Sequence, residues 1–339
     1  PIFYLDSTFL YQLDSSILPA DRAYQKIANW GITDQLDPAY DKATGQWAVY
    51  AARDLYRGGE AIAKKGERIA GSGFDSSRLG GDMFTANIDP STGLVDIQAT
   101  QAYLDLVSAD DAHEQGWRAY VQVTRVKVTD RHENVFTEHV NGKDLTSNIV
   151  WTRTPDLTPG IKLEKWDRRS GFPKGDRDDS KDALDGAKDG DVIVFTITNT
   201  SKDDSGHGAW FKASDLKLED HTIVGDGEVK DLKYPDNWST LVLKPGDSVE
   251  VTGTLTGFTK DRHTDRAKVT GTPLVECPVV DKDPFGDASG KPSTGGEAGD
   301  GDGPRQVTVG DRTLCEDTPV ESNTDDWNGR RDRKSTRLN

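Results

Sequence analysis

The 339-residue chain is polar and acidic: 34% of its residues are hydrophobic, 29% are charged, and the formal net charge is -16. A field of that sign repels nucleic-acid phosphates and anionic lipid, so no nucleic acid is expected as a partner and no direct membrane insertion. The length suits about two ordinary domains, and eight Trp, nine Tyr and ten Phe supply core residues for both, against wholesale disorder.

Strand signals dominate the chain. Short runs rich in Val, Ile, Thr and aromatics recur between Gly, Asp, Asn and Pro: QWAVYA (46–51), GLVDIQA (93–99), WRAYVQVTRVKVTD (117–130), DVIVFTITNT (191–200), DLKLED (215–220), DSVEVTGTLTG (247–257) and RAKVTG (266–271). The phase changes once between Val121, Val123 and Val126, Val128, which predicts a bulge or a change of sheet. Helical turns are expected in 17–30 and 100–116; the second places Tyr103, Leu104 and Val107 at helical spacing. TRTPDLTPG (152–160), with two Pro and a Gly, predicts a domain boundary. From Asp281 to Pro304 the chain is nearly all Asp, Gly, Pro, Ser and Lys and reads as a flexible loop, after which VTVGDRTLC (307–315) returns to strand-like alternation. The basic ending RRDRKSTRLN (330–339) differs from everything before it and reads as foreign sequence. One Met, Met83, and a start at Pro1 read as a fragment of a longer protein.

Many short strands, few helices and no β-α-β alternation predict an all-β fold of tandem β-sandwiches with short helical insertions. The expected domains are 1–158 and 159–328, with a disordered loop at 281–304 in the second and a non-native or disordered tail at 329–339. Two cysteines, Cys277 and Cys315, suit one disulfide in an extracellular protein; two unrelated free thiols are the alternative.

A family resemblance enters on long stretches. TFLYQLDSSILP (8–19), ITDQLDPAYDKATGQWAVYA (32–51), GSGFDSSRLGGDMFTA (71–86), VTRVKVTDRHENVFTEHVNG (123–142) and TSNIVWTRTPDLTP (146–159) resemble the isopeptide-forming adherence domain of Gram-positive adhesins, related to the C-terminal domains of streptococcal antigen I/II. IKLEKWD (161–167), LVLKPGDSVEVTGTLTG (241–257) and HTDRAKVTGTPLVECPV (263–279) resemble the immunoglobulin-like repeats that follow it in cell-wall-anchored proteins. The resemblance implies immunoglobulin-like, CnaA-like sandwiches in an extracellular wall-anchored protein, rigidified by Lys–Asn or Lys–Asp amide bonds. It also implies attachment to host or microbial surfaces, with any LPxTG-type sorting signal beyond this sequence.

Such a bond needs a Lys made neutral by burial, a carboxyl or carboxamide acceptor, and a second carboxyl that shuttles protons. Alternate strand residues share a face, so Lys165 lies with Ile161 and Leu163, Asp220 with Leu216 and Leu218, and Asp265 with Ala267 and Val269. The expectation is that Lys165 and Asp265 are crosslinked and Asp220 is the acid, with Lys on the first strand of the domain and its acceptor on the last. The alternative is that these charges reach solvent at strand ends and Lys165 snorkels. In the first domain Asn148 matches the family's acceptor, with its Lys expected upstream of Pro1 and Asp14 as the matching acid.

Asp-rich GDRDDSKDALDGAKDGD (175–191) and DKDPFGD (281–287) leave Ca2+ open as the one cofactor, although neither follows the EF-hand order. HENVFTEH lacks the HExxH spacing, six scattered His make no zinc site, and no GxSxG elbow occurs, so neither a catalytic site nor a metal site is assigned. The reading is a monomeric structural stalk, not an enzyme. Its rival is a glycoprotein- or glycan-binding module, with Trp30, Trp47 and Trp117 as stacking surfaces, or, less directly, an accessory domain of a hydrolase.

Overall fold

A computed structural model describes residues 1–23, 26–286, 292 and 304–332. The chain divides into two compact units. Unit 1 takes residues Pro1–Pro155 and Pro278–Gly303; unit 2 takes Asp156–Cys277 and Pro304–Asn339. Both are β-sandwiches, as alternation in the strands dictates: one residue in two is apolar and needs a second sheet to cover it.

In unit 1 a four-stranded antiparallel sheet runs in the order Thr8–Asp14, Trp117–Arg125, Asp41–Ala51, Arg68–Gly71. A five-stranded sheet runs Lys143–Thr146, Phe136–Val140, Trp30–Gln35, Leu94–Ala99, Phe84–Ile88. Their inner faces meet around Trp30, Trp117, Val121, Ile32 and Ile97. Helix Gln101–Ala109 forms where helical spacing predicts it and buries Tyr103, Leu104 and Val107. The other expected helix does not form among the described residues of 17–30: Leu18 instead bridges to Gln115, and Trp30 begins a strand. Trp30 and Trp117 are fully buried and Trp47 is partly buried against the core, so two of the three candidate stacking rings are core residues. The phase change after Arg125 is a strand end: Val126 and Val128 are exposed, and Thr129–Asn134 pairs in another sheet, with Val150–Thr154.

In unit 2 a four-stranded sheet runs Ile161–Asp167, Val192–Asn199, Ser248–Thr256, Glu228–Lys233. It faces a sheet ordered Leu184–Asp185, Asp325–Arg330, Arg262–Gly271, Lys217–Gly225. Leu163, Phe195, Val251, Val269 and Trp327 fill the space between. Asp325–Arg330 follows Arg262–Gly271 and pairs with it, so Asp265 does not lie on the last strand of the unit. Gly329 and Arg330 belong to that strand and not to a tail; residues 333–339 lie outside the described residues.

The segment read as a flexible loop of the second domain differs in its described part. Residues 278–286 group with unit 1. Thr8 N–H donates to the Val279 carbonyl (2.8 Å), Val279 N–H to Ser7 Oγ (3.0 Å) and Gln122 Nε2 to the Asp281 carbonyl (2.6 Å). Phe285 is 1% exposed and packs on Ala48 and Tyr50. An aromatic ring in a run of Asp and Pro has no periodic partner in sequence, which is why composition alone misses its burial. The rest of the expected loop, 287–291 and 293–303, lies outside the described residues. Cys277 and Cys315 are bonded, closing a separation of 38 residues, and Val275 pairs with Cys315 in a small sheet.

Candidate crosslinking site in the core of unit 2

Strand Ile161–Asp167 alternates with Ile161, Leu163, Lys165 and Asp167 inward. Lys165 thereby enters the core with no exposed side-chain surface. It sits opposite Phe195 on the neighbouring strand, with Nζ 5.2 Å from the ring centroid. From the other sheet come two carboxylates. Asp265 is paired with Thr222, two residues beyond Asp220, so the acids lie diagonally on adjacent strands and within reach of one amine. Lys165 Nζ donates to Asp220 Oδ1 at 2.5 Å. The same nitrogen is 2.7 Å from Asp265 Oδ1, at an angle outside the hydrogen-bonding range. The three residues singled out by strand parity are thus brought together, and Lys165 does not snorkel.

Burial, with the neighbouring Asp265 charge added, pushes the Asp220 carboxyl up to about 7, although the Lys165 ammonium works the other way. Burial acts on Asp265 in the same sense, yet the charge of Lys165 and the contact with His263 outweigh it and hold this carboxyl below its ordinary value. One acid is therefore poised to carry a proton near neutrality and the other is kept ionised beside the amine.

His263 was not singled out by the sequence reading. It lies two residues before Asp265, shares its face, and is 1% exposed. Its Nε2 is 3.2 Å from Asp265 Oδ2, and its Nδ1 is 2.7 Å from the Asp226 carbonyl oxygen. Gly225 pairs with His263 at positive φ, and a Cβ there would lie 1.8 Å from the Arg262 carbonyl; only glycine permits this approach. The signal was available, because i and i+2 on one strand share a face.

A second acidic group sits beside the first. Carboxylate oxygens of Glu164, Asp176 and Asp325 lie within 4.8 Å of one another. Asp325 Oδ2 accepts from the backbone N–H of Lys165 at 2.5 Å. Burial and hydrogen bonding to Asp178 push Asp325 up to about 8; burial and the Asp178 charge push Asp176 up to about 6. Asp176 comes from the Asp-rich run that left Ca2+ open; its partners Glu164 and Asp325 come from elsewhere in the chain.

The candidates in unit 1 are placed differently. Asp14 is out of phase with Phe9, Tyr11 and Leu13, so it faces outward and pairs with Arg118. Asn148 is exposed, with a long 3.5 Å contact from Nδ2 to the Ile149 carbonyl. Both line a groove of about 290 Å³ that Leu145 and Val150 share. Neither has the buried setting the reaction needs. The deep polar group of this unit is instead Asp41 with Arg125, both fully buried.

Residues 2–155 match the family model described as cell surface antigen C-terminus. The aggregation substance of Enterococcus faecalis (strain ATCC 700802 / V583) is 31% identical over 156 residues, which is 45% of this chain and 11% of that protein. The chain therefore spans about a tenth of the length of this curated relative. Among solved structures, the C-terminal domain of the Streptococcus pyogenes antigen I/II-family protein AspA aligns at 23% identity and a TM-score of 0.38, covering 45% of this chain and 41% of that one. The C-terminal domain of the Streptococcus agalactiae AgI/II polypeptide BspA aligns at 19% identity and a TM-score of 0.38, covering 45% and 44%. The Streptococcus pneumoniae pilus backbone RrgB aligns at 11% identity and a TM-score of 0.28, covering 75% and 44%.

Proposed function

From a first unit whose residues 2–155 match the family model described as cell surface antigen C-terminus, we propose that this chain is a load-bearing stalk of a Gram-positive surface adhesin, with unit 2 stapled by a Lys165–Asp265 amide. The observation that carries the reading is a fully buried amine held by two acids of the facing sheet. An ion pair in that position is expensive, because desolvation offsets much of the attraction. An amide removes both charges and leaves the two sheets joined covalently.

The step balances as a condensation. At rest Asp265 is ionised beside the Lys165 ammonium, so the reactive form arises when that ammonium passes one proton to Asp265 across the 2.7 Å contact; Lys165, as the free amine, then attacks Cγ of Asp265 as the neutral acid. The Nζ–Cγ bond forms, a Cγ–O bond breaks, and water leaves. Asp220 receives the proton the amine gives up, and the departing hydroxyl takes one proton from the site to leave as water; a carboxyl raised to about 7 is a far better base than an ordinary Asp. The event happens once per molecule, so the chain is not an enzyme in the turnover sense. The Cys277–Cys315 disulfide adds a second covalent closure. Attachment to a host or microbial surface glycoprotein or glycan would belong to the parent adhesin.

The test is intact mass under reducing conditions. The wild type should be lighter than its sequence by about 18 Da, with Lys165 and Asp265 in one branched peptide. Lys165→Ala should restore the full mass, and Asp220→Ala should leave most molecules unlinked. A wild type of unreduced mass sinks the staple.

A further inference from the structure

The condensation above requires one oxygen of Asp265 to depart as water, and the following inference rests on that reading. We propose that His263 is a catalytic residue of the crosslinking step, the general acid that protonates the departing Oδ2 of Asp265.

The ring orientation supplies the argument. Nδ1 of His263 is 2.7 Å from the carbonyl oxygen of Asp226. A carbonyl can only accept, so Nδ1 carries a hydrogen in either charge state. The Asp226 turn is itself fixed, its Oδ1 accepting from Thr259 N–H (3.0 Å) and Lys260 N–H (2.9 Å). The remaining ring nitrogen, Nε2, is buried and faces Oδ2 of Asp265 at 3.2 Å, off the straight line of a formed hydrogen bond. A bare nitrogen lone pair against a carboxylate oxygen would be repulsive in this setting. At least one proton therefore belongs between them; in the reactive form Nε2 carries it, and the hydrogen on Oδ2 turns away from the ring so that an Oδ2 lone pair faces Nε2–H. Phe258 and Trp327 hold the ring, at centroid distances of 5.7 and 6.0 Å.

Asp265 is thus approached on two sides. Oδ1 faces the nucleophile, Lys165 Nζ, and Oδ2 faces His263. Asp220 lies on the amine side. With His263 as imidazolium, Asp220 as carboxylate, Asp265 as the neutral acid and Lys165 as the amine, Nζ attacks Cγ and gives one proton to Asp220. The carbonyl electron pair moves to Oδ1. As it returns, the Cγ–Oδ2 bond breaks. Oδ2, already carrying one hydrogen, takes the Nε2 proton and leaves as water. The amide keeps one N–H, Asp220 ends as the neutral acid and His263 as neutral imidazole, so protons and charge are conserved.

The titratable and charged groups facing His263 are Asp265 and, beyond it, Lys165. Burial works against the imidazolium, but the Asp265 contact outweighs it and raises His263 above its ordinary value. The crosslinking rate should therefore fall at low pH as Asp220 is protonated and fall again at high pH as His263 loses its proton.

The experiment follows the full chain made by cell-free translation at fixed pH, acid-quenched at intervals and read by intact mass. His263→Asn keeps a donor near the Asp226 carbonyl and removes Nε2; His263→Gln keeps a donor near Oδ2 that cannot give up a proton. Both should crosslink at least about tenfold more slowly and lose the alkaline limb. Either variant, folded and crosslinking at the wild-type rate with the wild-type profile, overturns the inference and leaves the staple standing. If both variants fail to fold, the wild-type profile decides: no falling limb between pH about 6.5 and about 9 overturns the role of His263. Absence of mass loss in the wild type overturns the staple and, with it, this step.

Discussion

Lys165 and Asp265 come from facing sheets of unit 2 and meet in its core, with Nζ 2.7 Å from Oδ1. Without its partner, Lys165 would keep only Asp220 and Asp265 only His263 to compensate a buried charge. Lys165→Met removes the amine and leaves Asp220 and Asp265 facing each other in an apolar space. The expected loss is about 3–5 kcal/mol, the scale for breaking a buried pair, on top of whatever the amide contributes. Urea unfolding, followed by tryptophan fluorescence, measures it. A variant as stable as the wild type would show that the trio is not a structural tie.

The acceptor position can be tested by the atom it expels. Asp265→Asn keeps the shape and offers a carboxamide. Attack by Lys165 would then release ammonia, and the chain should be lighter than its own sequence by about 17 Da instead of about 18. The product is the same amide as in the wild type. A loss of about 18 Da in this variant would mean that water was expelled from Asp220 and that Asp220 is the acceptor instead, whereas full mass would mean that the bond needs the carboxyl of Asp265.

Asp325 gives a pH prediction with a definite sign. Its folded value is raised to about 8 by burial and the Asp178 contact, against an ordinary 3.8 unfolded. The folded state therefore binds the extra proton, and stability declines as pH rises from about 4 to about 8. Asp325→Asn cannot ionise, and its side-chain oxygen can still accept from the Lys165 N–H. Its Tm should match the wild type near pH 4 and exceed it near pH 9. No gain at pH 9 overturns the sign. A wild-type Tm that rises with millimolar Ca2+ while the variant's does not would assign Glu164, Asp176 and Asp325 a cation.

Strand parity made the unit 2 trio legible, because Lys165, Asp220 and Asp265 each stand in phase with apolar neighbours. The same test was available for Arg125, in phase with Val121 and Val123 on strand Trp117–Arg125. It also places Asp14 outward, against the role the family resemblance implied. What parity cannot show is which strands face each other. That is why Asp325, from a strand beyond Arg262–Gly271, and its neighbours Glu164 and Asp176 were not legible as a group.

Arg125 anchors the corresponding polar group of unit 1. Its Nε and Nη2 reach the two oxygens of Asp41 at 2.6 and 3.2 Å, and Nη1 and Nη2 donate to Thr154 Oγ1 (2.8 Å) and Thr152 Oγ1 (2.5 Å). Tyr11 also donates to Asp41, at 2.6 Å. The fork ties the strand that ends the N-terminal part of unit 1 to its core. Arg125→Ala should cost about 3–5 kcal/mol. Arg125→Lys should recover little of that, because a point charge cannot serve two carboxylate oxygens and two hydroxyls at once. Chemical denaturation compares them, and a Lys variant within about 0.5 kcal/mol of the wild type would refute the fork argument.

Phe285 predicts a local effect separable from the global one. Its ring packs on Ala48 and Tyr50, with Leu10 and Tyr120 at the edges, and the Arg68 guanidinium lies 5.3 Å from its centroid. This cluster is distinct from the main core around Trp30 and Trp117. Removing the ring should therefore detach residues 278–286 without unfolding the sandwich, since elements with few buried contacts open as separate units. In Phe285→Ala the amides of Thr8, Val279 and Asp281, which bond across this segment, should exchange faster by about tenfold or more. Amides within strand Trp117–Arg125 should keep their protection. Uniform loss of protection across both sets would mean that Phe285 belongs to the cooperative core of unit 1, and unchanged exchange at Thr8 would mean that the ring does not hold the segment.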